Sequence, residues 1–149
     1  MCPSTPMTQT STPRAQGKTA RTAGYYLASI ALGLVTASLG PTLSGLAKQV
    51  NASLDEISIL FTAFALGYLM GSLLGGRAYD RAPGHALMGT VLAVLALMMA
   101  LVPLAPRLWL KVGVMLLAGA GAGTIDVGAN TLLVWLHGHE VGPFMNGLH

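Results

Sequence analysis

Four long apolar stretches separated by short polar breaks organise this chain. They run over about Gly24–Ala47, Leu54–Ala78, Ala86–Leu104 and Leu110–Leu136. At 1.5 Å per helical residue, about 20 residues cross a hydrocarbon core roughly 30 Å thick. No stretch alternates with a period of two, and all exceed ordinary strand lengths. The predicted fold class is therefore an all-α membrane protein with four transmembrane helices. Ser53-Leu54-Asp55-Glu56 reads as a capping box that starts the second span. Pro103 and Pro106 stop the third. Residues 144–149, from Phe144 to His149, read as the start of a fifth span, so the sequence is expected to be a fragment or a truncated reading frame.

Composition supports the membrane reading. The chain is 53% apolar and 9% charged, where soluble domains carry about 25% charged residues. Residues 1–23 hold Ser, Thr, Pro, Gln, three basic residues and no acid. They are predicted to form a disordered cytoplasmic tail ahead of a partial transmembrane bundle over 24–149. A secretory signal is the competing reading, but its apolar core runs about 7–15 residues and Gly24–Ala47 is longer.

Short connections make neighbouring spans antiparallel. Arg14, Lys18, Arg21, Arg77 and Arg81 then lie on one side, with Lys48, Arg107 and Lys111 on the other. The positive-inside bias predicts a cytoplasmic N-terminus, in a plasma (inner) membrane. The basic residues form no patch with interleaved aromatics, which argues against nucleic acid. Cys2 is the only cysteine, so neither an intrachain disulfide nor a cysteine metal cluster is available. His137 and His139 lack a third ligand, so no metal and no cofactor is predicted.

Two helix faces carry small residues. Gly67, Gly71 and Gly75 stack at four-residue spacing, which lets a partner backbone approach closely. Ser29, Gly33, Thr36 and Gly40 form a similar face in the first span, followed by Pro41. In the fourth span, at about 100° per residue, Gly119, Gly123, Asp126 and Asn130 fall within about 60° of one another. Asp126 is the sole acid of Val112–Leu136. A mid-span charge costs roughly 2.5–3.5 kcal/mol on insertion scales, so such residues tend to face a bundle or cavity and to serve a pathway. The bland alternative is an acid hydrogen-bonded to a neighbouring helix.

The loop from Gly75 to His85 resembles the signature between helices 2 and 3 of the major facilitator superfamily, on Gly76, Asp80, Arg81 and Gly84. Pro83 lengthens its Asp-to-Gly spacing by one, and His85 replaces the usual Arg or Lys. The stretch Gly119-Ala120-Gly121-Ala122-Gly123-Thr124-Ile125-Asp126-Val127-Gly128-Ala129-Asn130, followed by Met145-Asn146-Gly147-Leu148-His149, is similar to the branch of fucose–proton symporters and sodium-dependent glucose transporter-like proteins. The resemblance covers about Gly24–His149 and implies the first third of a twelve-helix bundle. It implies cytoplasmic gating by Asp80 and Arg81, and substrate or cation coupling at Asp126 with Asn130. The fucose symporters also carry an acid in helix 1, four residues before a proline, where this chain has Ala37. Asp126 is therefore expected to act alone or with residues outside this segment.

The expected function is the N-terminal part of a secondary active transporter for a small polar, sugar-like solute coupled to H⁺ or Na⁺, inactive as a fragment. Its expected partners are the bilayer, the solute, a cation and the missing C-terminal helices. The alternative is a small non-transporting membrane protein that assembles through its glycine faces. No Ser/His/Asp or Cys/His constellation and no phosphate loop appears, so an enzyme is not expected.

Overall fold

The computed structural model describes residues 13–148, and these are mostly helical with no strand among them. Helix α1 spans Pro13–Val50, α2 Leu54–Ile57, α3 Ile59–Arg81, α4 Gly84–Leu101, α5 Leu108–His137 and α6 Gly142–Leu148. A single 3₁₀ turn, Gly138–Glu140, links α5 to α6. Four segments are long and apolar enough to cross a membrane: Gly17–Val50, Leu54–Arg81, Gly84–Leu101 and Leu108–Glu140.

Helix α1 departs most from its sequence-based limits. It starts at Pro13, so residues 13–23 of the expected tail are helical. Residues 1–12 of that tail lie outside the described residues. Proline suits a first helical position, where its missing N–H is no loss, and Ala15, Gln16, Lys18, Ala20 and Arg21 are good helix formers. Polar composition argued for a tail, but helix propensity and the burial of Thr22 and Tyr25 prevail. At the far end Asn51 adopts a left-handed φ of 51°, and the Ala52 N–H bonds the Ala47 carbonyl at 3.1 Å. This is a Schellman stop with asparagine in the position glycine usually takes.

The second span starts at the capping box. Glu56 N–H donates to Ser53 Oγ at 3.2 Å, and Ser53 N–H donates to Glu56 Oε2 at 2.8 Å. The helix is interrupted at Ser58, which divides the span into α2 and α3. Ala82, extended ahead of Pro83, ends α3, because a residue before proline avoids the helical region. Helix α4 stops at Leu101, two residues short of Pro103.

Helices α3 and α5 run parallel and form the largest interface. Added Cβ atoms at Gly67 and Gly71 would strike the carbonyls of Leu116 and Ala120, and one at Gly75 would lie 3.1 Å from the Thr124 Cα. In return, Cβ atoms at Gly119 and Gly123 would strike the carbonyls of Phe64 and Tyr68. The two glycine faces thus interlock backbone against backbone, and only glycine permits it. Helix α4 packs on α5 from another side, with Leu95 buried near Gly121.

Helix α1 is held differently. Near its start, Thr22 Oγ1 lies 3.0 Å from the Lys18 carbonyl and is hydrogen-bonded to His137 Nε2 at 2.8 Å. Tyr25 stacks on His85 at the start of α4, with an interplanar angle of 8°. Its hydroxyl lies 3.2 Å from His85 Nδ1. Tyr25 is 4% exposed, so its ring is turned into the bundle. At the other end, Lys111 donates to Gln49 Oε1 at 3.0 Å and to the Val102 carbonyl at 2.8 Å. Lys111, read from the sequence as an ordinary flanking charge, is 0% exposed. Between these ties Leu39 and Leu46 are buried in the core, whereas Gly33, Gly40 and Gly45 face away from any neighbour, with nothing within 4 Å of an added Cβ.

Candidate functional site

A cleft of about 490 Å³ opens where α1 stands away from α3 and α5. The small-residue face of α1 supplies Ser29, Gly33 and Thr36, with Leu32 beside them. Helix α3 supplies Phe64, Ala65 and Tyr68, and α5 supplies Asp126. The level of the acid follows from the two ties. Positions 22 to 49 of α1 and 137 to 111 of α5 separate them. These antiparallel helices therefore keep register, with Gly33 opposite Asp126.

Asp126 is held by a residue that the sequence pattern did not single out. The Tyr68 phenol donates to Asp126 Oδ2 at 2.6 Å, a length typical of a charge-assisted O–H···O⁻ bond. The Gly123 approach to the Tyr68 backbone brings the phenol within reach. Asn130 was expected to share a face with the carboxyl group. Its Nδ2 instead donates to the Asp126 backbone carbonyl at 2.8 Å, one turn back. Asn130 Oδ1 is buried without a partner, and the residue does not line the cleft.

The remaining polar groups are hydroxyls. Thr36, which lines the cleft, donates to the Leu32 carbonyl at 2.9 Å, so its oxygen is free to accept. Among the described residues, no Lys, Arg or His lines this space. A carboxylate among hydroxyls with no cation nearby repels anionic solutes. It suits a neutral polyhydroxylated ligand, a cation, or both.

The other predicted site residues lie elsewhere. Gly76, Asp80, Arg81 and Gly84 surround the α3–α4 turn, at the end of the bundle where α1 starts. Asp80 and Arg81 are exposed, and Gly84 leaves room for the Leu132 side chain of α5. Gly67, Gly71, Gly75, Gly119 and Gly123 all lie in the α3–α5 interface.

A sequence model described as Major Facilitator Superfamily matches residues 25–148. Sodium-dependent glucose transporter 1 of Danio rerio is 36% identical over 120 residues, covering 80% of this chain and 20% of its own length. Sodium-dependent glucose transporter 1A of Mus musculus is 35% identical over 124 residues, covering 83% and 29%. Major facilitator superfamily domain-containing protein 4A of Homo sapiens is 36% identical over 121 residues, covering 80% and 23%. The chain thus spans about a quarter of the length of these curated relatives. No solved structure matches it.

Proposed function

The chain belongs to the Major Facilitator Superfamily, and from that premise we propose that it forms one wall of a secondary transporter for a small, neutral, sugar-like solute coupled to Na⁺ or H⁺. The observation that carries this reading is the cleft in which Asp126 faces the hydroxyls of α1 with no basic side chain beside it. The printed names of relatives such as sodium-dependent glucose transporter 1 favour a sugar and sodium. In this reading the protein is a carrier and not an enzyme.

Family transporters bind substrate between two halves near the midplane and rock around that site. The four spans of this chain supply one wall of it. In this reading the N-terminus is cytoplasmic, because Lys18, Arg21, Arg77 and Arg81 lie at that end. The Gly76–Gly84 turn sits at the same end, where Asp80 and Arg81 are free to meet the second half. The alternative, assembly with foreign helices through the glycine stripe, loses its surface: Gly67, Gly71 and Gly75 are already spent on α5.

Asp126→Asn in the whole transporter tests the reading. It is expected to abolish uphill accumulation of solute while sparing exchange, and unchanged accumulation would remove Asp126 from the coupling step. Proteoliposomes holding residues 1–149 alone are expected to take up no more solute than empty vesicles.

A further inference from the structure

Gly123 sets the spacing of α3 and α5 at the level of the cleft. A Cβ there would strike the Tyr68 carbonyl and crowd Ser72, so the two backbones are in direct contact at this level. The closeness lets one phenol bridge from α3 to an acid on α5. It donates to Oδ2 at 2.6 Å, and Asn130 fixes the backbone of the same residue from below at 2.8 Å. With Oδ2 and its backbone carbonyl both engaged, Asp126 has one oxygen, Oδ1, left for the cleft. A carboxylate held this way loses little freedom when a cation arrives, whereas an unpinned one must be ordered at the moment of binding.

We propose that Tyr68 is a positioning residue for coupling, holding Oδ2 so that the cation meets Asp126 through Oδ1 alone, beside Gly33 and Thr36 of α1. The inference rests on the reading of Asp126 as the coupling site. It goes beyond that reading by assigning a role to a hydroxyl on a different helix.

The test is Tyr68→Phe in the whole transporter, which removes that hydroxyl and nothing else. Sodium is titrated at fixed pH, and protons at fixed sodium. The half-saturating concentration of the ion whose effect Asp126→Asn removes is expected to rise about tenfold, as loss of one charge-assisted hydrogen bond implies. The maximal uptake rate is expected to stay within about twofold, since the hydroxyl orders the carboxylate and takes no part in the later movement. An unchanged or lower half-saturating concentration in Tyr68→Phe overturns the proposal. So does a failure of Tyr68→Phe to fold, because it makes the hydroxyl a structural one. If Asp126→Asn itself leaves ion dependence intact, the coupling reading fails, and it does so independently of Tyr68.

Discussion

Helix α5 has two contrasting neighbours. Toward α3 it is sealed by interlocked glycines, at which added Cβ atoms on Gly67, Gly71, Gly119 and Gly123 would strike the facing backbone. Toward α1 it is tied at both ends, by Thr22–His137 and Lys111–Gln49; between the ties Leu39 and Leu46 are buried in the same core as Leu60 and Met115, and the cleft opens over Ser29 to Thr36. The sealed side gives the rigidity that fixes Asp126 and Tyr68 to within a hydrogen bond. The open side gives the space in which that carboxylate is of use. One helix serves both purposes because its two faces differ in residue size: glycine toward α3, and Asp126 at the edge of the cleft.

Glycine-to-alanine exchanges break this contrast most sharply. Gly71→Ala puts a methyl group on the Ala120 carbonyl and should destabilise the chain by about 1–3 kcal/mol, the range for overpacking. Gly33→Ala meets nothing and should stabilise α1 by up to about 1 kcal/mol through helix propensity. Unfolding of the purified chain in mixed micelles, titrated with a denaturing detergent, reads both. Opposite signs support the contrast, and equal effects dissolve it.

Lys111→Met probes one tie. It leaves the Val102 carbonyl without its side-chain donor, a loss of about 1–3 kcal/mol for a buried acceptor, partly offset because an ammonium group no longer has to be buried. The same titration should show a net loss, accompanied by faster proteolysis between α1 and α2. Thr22→Val probes the other tie and should have the smallest effect, about 0.6 kcal/mol, the average for a hydrogen bond between membrane helices. A loss as large as that of Gly71→Ala would mean that the α1 ties are as strong as the glycine seal.

The four spans were legible because apolar runs of this length admit only one structure in a bilayer. The capping box at Ser53 and the stop before Pro83 were legible because each uses local chemistry. The start of α1 was not. Arg14 to Arg21 has both a tail-like composition and good helix propensity, and burial of Thr22 and Tyr25 at long range decides between them. Lys111 looked like a flanking charge because its partners, Gln49 and Val102, come from distant parts of the chain. Asp126 stood out as an isolated acid, yet its partner did not, since a tyrosine in an apolar helix leaves no mark in a polar pattern. The signal that would have found it was present. If the stripes Gly67–Gly75 and Gly119–Gly123 belong to one parallel interface, a register such as the one the structure adopts puts Tyr68 alongside Gly123, one turn from the acid.

That alignment has a cost for any change in chain length. Gly67, Gly71 and Gly75 pair with Leu116, Ala120 and Thr124 at a constant numerical offset. The helix that keeps this rhythm also carries Asp126. One residue inserted between Gly119 and Asp126 would turn everything beyond it by about 100°. The acid would swing away from Tyr68, and side chains would arrive where carbonyls now meet glycine. Packing and chemistry on α5 are thus in phase, and the chain tolerates a change of letter here far better than a change of count.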